Sequence, residues 1–219
     1  MPPNQKMEKA LREQGFNLIA GVDEVGVGSL AGPVLAAAVL FPKKIKTKGI
    51  NDSKILSPAK RNKLFKVILK EAISVGIGIV DWETIDKINI LKASHLAMRL
   101  AIESLKPKPE YILVDGKYPI KVKFPQLQLC GGDLKCTSIA AASIVAKVLR
   151  DKIMDGFDGI FQDYGFNKNK GYGTRLHLDN IKRFGPCPIH RQSYLPVKHA
   201  LKFQLPLDFE RNALYNFFK

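Results

Sequence analysis

Little in this chain could span a membrane or cross-link it. The longest apolar run, Pro33 to Phe41, is far short of the roughly 20 residues a membrane-spanning helix needs. The first residues, MPPNQKMEKALREQ, are polar and contain no apolar core of the secretory type. Cysteine is sparse. Cys130, Cys136 and Cys187 form neither an even set nor a metal-ligand spacing, which excludes a disulfide scaffold and a thiolate metal site. There is no internal repeat, no low-complexity segment and no heptad pattern that would point beyond a monomer. Acid is scarce too: 20 Asp and Glu stand against 35 Lys and Arg, a net charge of +15. The expectation is a soluble, cytoplasmic protein without membrane association, built as one large domain or one domain with a small appendage.

What is present fills that frame. A hydrophobic content of 46% supports a sizeable core. The basic excess points to a polyanion, with nucleic acid first. The competing reading is a merely basic surface.

The pattern of residues predicts a mixed sheet. Asn17 to Val25 and Pro33 to Phe41 read as two strands joined by a turn over Gly28 to Gly32. Ser57-Pro58 opens a helix, with Ser as N-cap and apolar residues at Leu64, Val67, Ile68 and Ile73. Ser74 to Asp81 reads as a third strand, and Asn89 to Leu105 as an amphipathic helix whose stripe carries Leu91, His95, Leu96, Met98 and Ile102, with His95 read as a core histidine. Tyr111 to Asp115, YILVD, suits a central strand covered on both faces. Thr137 or Ser138 is the expected cap of the next helix, on which Ser143, Lys147 and Arg150 share a face. Thr174 caps a helix from Arg175 to Phe184, ended by Gly185-Pro186. The fold class expected is α/β, a mixed sheet flanked by helices.

Several acids interrupt segments that otherwise read as buried: Asp23 and Glu24 in the first strand, Asp115 at the end of YILVD, and Asp133 after Gly131-Gly132. An isolated buried carboxylate is costly, and several together repel. A divalent cation relieves both problems, and Mg²⁺ prefers hard oxygen ligands. With a basic surface to hold a phosphate polymer, the combination suggests metal-assisted phosphodiester chemistry with two ions about 4 Å apart. Neighbours on a strand point to opposite faces, so Asp23 and Glu24 share one site only if the strand bends or the site lies across its edge. The alternative is that Asp23 is buried, Glu24 faces solvent and Asp115 caps a loop.

The blocks GVDEVGVGSLAGPVLAAAV, NDSKILSPAKRNKL, ILVDGK, GGD, SIAAASIVAKVLRD and GYGTRLHLDNIKRFGPCPIHRQSY resemble bacterial ribonuclease HII in order and approximate spacing, over roughly Leu18 to Val197. The resemblance implies a ribonuclease H-like catalytic domain over residues 1–197 and a helical C-terminal extension, with residues 198–219 as a tail packed on it. It implies Asp23, Glu24, Asp115 and Asp133 as catalytic metal-binding carboxylates for Mg²⁺ or Mn²⁺. Asp151 competes for the fourth place, but a helical Lys147–Asp151 pair accounts for it. Tyr172 matches a tyrosine that stacks on the sugar beside the cleavage point. Gly26, Val27 and Gly28 would read the 2′-hydroxyl through backbone groups. Lys54 and Arg191 are the preferred phosphate-holding groups. The implied activity is cleavage of RNA paired with DNA, including single ribonucleotides embedded in duplex DNA, leaving 3′-hydroxyl and 5′-phosphate ends.

One departure stands out. The family usually shows Gly-Arg-Gly where this chain has Gly26-Val27-Gly28, and Pro where it has Ser29. Val27 lacks the charged donor, so single-ribonucleotide preference is expected to weaken while metal-dependent cleavage persists. In the tail, Gln204, Leu207 and Phe209 resemble a bacterial sliding-clamp motif; the other reading is a helical tail packed on the domain. Two alternatives to the enzyme remain at this level: a relative of the same fold that cuts branched DNA, and a non-catalytic nucleic-acid binder.

Overall fold

The computed structural model describes residues 2–43, 49–51 and 53–202. In chain order the elements are α1 (Lys6–Glu13), β1 (Ile19–Val25), β2 (Val34–Leu40), α2 (Pro58–Glu71), β3 (Ser74–Val80), α3 (Trp82–Ile88), α4 (Ile90–Ser104), β4 (Tyr111–Asp115), β5 (Gln126–Leu129), α5 (Thr137–Ile160), α6 (Phe166–Asn169), α7 (Arg175–Phe184) and α8 (Leu195–Lys202). The strands form one mixed sheet in the order β3-β2-β1-β4-β5. β1, β2 and β3 are an antiparallel meander; β4 and β5 join parallel to β1. This is an α/β mixed sheet flanked by helices, with a C-terminal helix, the architecture that the resemblance implies.

The pleat decides what each face holds. Ala20 and Val22 of β1 pack with Ala97, Ala101 and Ile102 of α4. Leu35, Ala37 and Val39 of β2 pack on the other side against α2 and α5, through Leu64, Ile68, Ala141 and Val145. Burial on both faces is why β2 reads as an unbroken apolar run. A third cluster, with Phe166, Ile181 and Val197, ties α6, α7 and α8 to the loop after β1. α8 therefore crosses the 197/198 boundary drawn from the sequence, and Gln204, Leu207 and Phe209 lie outside the described residues. Among the described residues no helix is long and apolar enough to cross a membrane.

Several local expectations need correction. Ile73 lies beyond α2 and is exposed, because Ala72 already leaves the helix in an extended conformation. Leu91 is exposed in the first turn of α4, and His95 is half-buried rather than a core residue. α3 was not anticipated; Asp81 caps it, accepting from the Thr84 N–H at 2.7 Å. Neither Thr137 nor Ser138 caps α5. Its N-cap is Cys136, which offers no side-chain hydrogen bond.

The cap comes instead from α1. Glu8 is buried, and its Oε1 accepts from the Ser138 N–H at 2.9 Å and the Ser138 hydroxyl at 2.8 Å. A carboxylate there satisfies an otherwise free helix donor and complements the positive end of the α5 dipole. Glu8→Ala is expected to cost about 1–2 kcal/mol, measured by urea unfolding, with Glu8→Gln in between.

Candidate active site

Asp23 and Glu24 lie just before the end of β1, and the strand alternation sends them to opposite faces. A helix hydroxyl lies near each: Ser143 of α5 favours the charged form of Asp23, and Ser94 of α4 that of Glu24. Ser143 in turn lies 2.9 Å from the Ser53 hydroxyl in a buried contact. Asp115 ends β4, the parallel neighbour of β1, one residue beyond the Val22–Val114 pair. Asp133 sits in a 3₁₀ turn, Gly132–Leu134. That turn is drawn in by the Gly132 N–H, which donates to Asp115 Oδ1 at 2.7 Å.

Three acids distant in sequence thus converge. One carboxylate oxygen each from Asp23, Asp115 and Asp133 lie within 4.8 Å of one another. Glu24 stands outside this trio, but the Asp115 charge reaches it. The Lys54 ammonium approaches Asp133 Oδ2 at 3.7 Å from an exposed position.

The electrostatics record the crowding. Burial, then the charges of Glu24 and Asp115, hold the Asp23 carboxyl well above the usual carboxylate range. Burial also raises Asp115, with the Gly132 N–H opposing and Asp133 reinforcing the shift. Glu24 is pushed up to about 7, by burial first and Asp115 second. In metal-free protein the folded state therefore retains a proton on Glu24 that the unfolded chain releases near 4.5. This group's stabilising contribution is complete below that value and is lost as pH rises through about 7. The buried His177 and His190, both lowered, slope the other way, so the readout is a difference. In EDTA, the melting temperature of Glu24→Gln minus that of wild type is expected to rise by several degrees between about pH 5 and pH 8.

Beside the acids, residues 26–32 form a loop held from both sides. The Leu30 N–H donates to Gly171 O at 2.8 Å, and the Gly32 N–H to Ile189 O at 2.9 Å. Ser29 bridges to Tyr172 and Ala31 to His190. Two buried guanidinium groups support it from beneath. Arg150 donates to the carbonyls of Pro33, Lys170 and Ala31 at 2.9, 2.9 and 3.2 Å. Arg191 donates to Gly26 O at 2.7 Å, to Val27 O at 3.0 Å and to Gly32 O. This corrects the sequence reading of Arg191 as a phosphate-holding group: it is fully buried, and its Nε, Nη1 and Nη2 are all engaged by the protein. Arg191 positions the loop instead. The Val27 side chain is partly exposed, and its carbonyl also accepts from the Tyr194 hydroxyl at 2.8 Å. The Tyr172 ring is half-buried, with Arg150 and Lys147 at 5.5 and 5.8 Å from its centre. Asp151 is occupied elsewhere, paired with Lys147 at 2.6 Å and Arg61 at 3.2 Å.

The family description that matches this chain is Ribonuclease HII, over residues 20–197. The chain belongs to the ribonuclease HII family. A ribonuclease HII from Listeria innocua is 53% identical over 196 residues, covering 90% of this chain and 75% of the relative. The solved ribonuclease H2 of Pyrococcus horikoshii superposes with a TM-score of 0.71 at 26% identity, covering 84% of this chain and 97% of that one. The ribonuclease HII in a PCNA complex from Archaeoglobus fulgidus gives 0.69 at 25% identity, covering 87% and 98%. Membership makes this chain an enzyme, a ribonuclease H-type hydrolase whose class acts on RNA–DNA hybrids.

In this ribonuclease HII, two serines beside the acids were not among the site residues expected from sequence. Ser94 and Ser143 lie in ASHLAM and AAASIV, single hydroxyls on otherwise apolar stripes. That signature was available, since a lone serine facing a strand that carries carboxylates is the natural donor to them.

Proposed function

We propose that Asp23, Asp115 and Asp133, with Glu24 beside them, hold divalent cations, Mg²⁺ or Mn²⁺, and that the chain cleaves RNA paired with DNA and single ribonucleotides in duplex DNA. The observation that carries this is the convergence of three carboxylates, two of them pushed toward protonation, beside a loop exposed at Val27 and Gly28. Such a donor set fits a hard divalent ion, which relieves the repulsion that raises these carboxyls. When bound, a pair of such ions would polarise the scissile phosphodiester and acidify a water, giving 3′-hydroxyl and 5′-phosphate ends.

The chain's own residues do the rest. Ser94 and Ser143 orient Glu24 and Asp23. Lys54 brings positive charge to the rim at Asp133, where a phosphate would approach. The Gly26–Gly28 backbone and the Tyr172 ring form the two walls of a sugar site, which accounts for a ribose requirement through the 2′-hydroxyl. A glycine at position 28 has no internal reason: a Cβ there would meet nothing within 4 Å, and its φ is not left-handed. Close approach of a ligand explains it. The Archaeoglobus fulgidus complex makes a sliding clamp a further partner to consider for the Gln204, Leu207 and Phe209 motif.

The test is one incubation with Mg²⁺ or Mn²⁺ of three duplexes: all-DNA, RNA–DNA hybrid, and DNA with one ribonucleotide. Cleavage of the last two alone is expected; cutting of all-DNA or of none would refute the reading. Val27 should make the single-ribonucleotide duplex the poorer substrate. Val27→Arg restores a charged donor worth about 1.5–3 kcal/mol, so the preference for that duplex over the hybrid should rise roughly tenfold to a hundredfold.

A further inference from the structure

Behind Tyr172 lie side chains for which the proposed reaction has no use. His177 on α7 and His190 are both buried, against the rings of Tyr164 and Phe166. Their Nε2 atoms are 3.0 Å apart. Two imidazoles meeting at that distance must present one N–H and one lone pair. The outer contacts decide which is which. His177 Nδ1 lies 2.9 Å from the Tyr172 carbonyl oxygen, which can only accept, so this nitrogen carries the hydrogen. In the neutral ring His177 Nε2 is then the lone pair, and His190 Nε2 the donor.

That leaves His190 Nδ1 bare, and the far end agrees. The Cys187 N–H donates to it at 2.9 Å, and the Cys187 thiol lies at 3.1 Å. The Cys187 carbonyl, 3.2 Å from the same nitrogen, would suit a protonated ring; the shorter N–H contact decides for the neutral one. Burial lowers both histidines, His190 to about 3, and pushes the Cys187 thiol up to about 12. Hydrogen bonds therefore run in one direction, from the Cys187 N–H through His190 and His177 to the Tyr172 carbonyl.

We propose that this buried imidazole relay positions Tyr172 for sugar recognition, and that residues 187–191 set both walls of the sugar site together. The inference rests on the reading of Tyr172 and the Gly26–Gly28 loop as that site. His190 fixes the tyrosine wall through His177. Arg191, the next residue, fixes the loop wall through Gly26 and Val27, and its N–H donates to Leu30 O at 2.8 Å. Neither histidine touches substrate. Both are positioning residues, and a stacking ring displaced by about 1 Å loses its catalytic value.

The test uses His177→Leu, His177→Asn, Tyr172→Ala and the double variant His177→Leu/Tyr172→Ala, assayed for kcat and KM on the single-ribonucleotide duplex. An Asn amide can replace the Nδ1–H toward the Tyr172 carbonyl; Leu cannot. His177→Leu is expected to lower kcat about tenfold with KM changed less than about twofold, because phosphate contacts along the duplex dominate KM. His177→Asn should recover most of that loss, and the double variant should be no slower than Tyr172→Ala alone. Should His177→Leu fail to fold, His190→Asn, too short to reach His177, should lose kcat where His190→Gln, which keeps a donor there, does not. Nitrogen NMR shifts of the two rings should show neutral Nδ1–H and Nε2–H tautomers for His177 and His190 respectively. Additive losses in the double variant, an Asn variant as slow as Leu, or a charged imidazole would overturn the inference alone. Full activity in Tyr172→Ala would overturn the sugar-site reading, and this inference with it.

Discussion

Asp23→Asn is expected to lower hybrid cleavage by about a thousandfold or more while leaving the metal-free fold at least as stable. The two halves have one cause. Asp23 is buried, and Glu24 and Asp115 both repel its charge. Without a cation its ionised form is a burden on the fold, and a neutral amide of the same shape removes that burden. With a cation the same charge becomes ligand field. Losing one carboxylate from a site that stabilises developing phosphoryl charge costs several kcal/mol, and about 4 kcal/mol is a thousandfold in rate. Two measurements check this. Steady-state cleavage of a labelled hybrid gives the rate, and melting in EDTA and then in excess Mn²⁺ gives the linkage. Wild type should gain melting temperature from the ion, and Asp23→Asn should gain much less. Retained cleavage in the Asn variant would remove Asp23 from the site.

How much of this could be read from the residues depended on distance along the chain. The strands β1, β2 and β3 were legible because alternation and apolar runs are local signals, and the pairing of β1 with β2 follows from the short turn between them, whereas β3 returns only after α2. α7 was legible from Thr174 at one end and Gly185-Pro186 at the other. β5 was not: Gln126–Leu129 is short, half-buried and without a marked pattern, and it is a strand because β4 offers it an edge. The acids were found because charge inside apolar runs demands explanation. Their separation onto two faces was also visible, since strand period forces it; the serines beside them lie on helices distant along the chain. Arg191 shows the opposite failure. A basic residue in a matched block reads as a phosphate contact, and only three dimensions reveal three loop carbonyls waiting for its guanidinium. The cap on α5 was missed for a similar reason, as Glu8 precedes Ser138 by 130 positions.

The loop glycines allow structure and function to be separated by substitution. Gly26 has φ +93°, and a Cβ there would lie 2.2 Å from Arg150 Nε. That arginine cannot swing aside as an ordinary long side chain would. It is fully buried, and three carbonyls hold its guanidinium. Moving it would strand a charged donor set in the interior. Gly26→Ala should therefore cost about 3 kcal/mol from backbone strain and lost hydrogen bonds together, a fall of roughly 10 °C in melting temperature, with cleavage falling alongside. Gly28→Ala meets neither obstacle, so its melting temperature should stay within about 2 °C of wild type. If the loop backbone lies against a ribose, the same methyl group intrudes on substrate, and single-ribonucleotide cleavage should still fall about tenfold or more. A Gly28→Ala enzyme that is both stable and fully active would show that substrate does not approach the loop there, and the sugar site would have to be sought elsewhere around Tyr172.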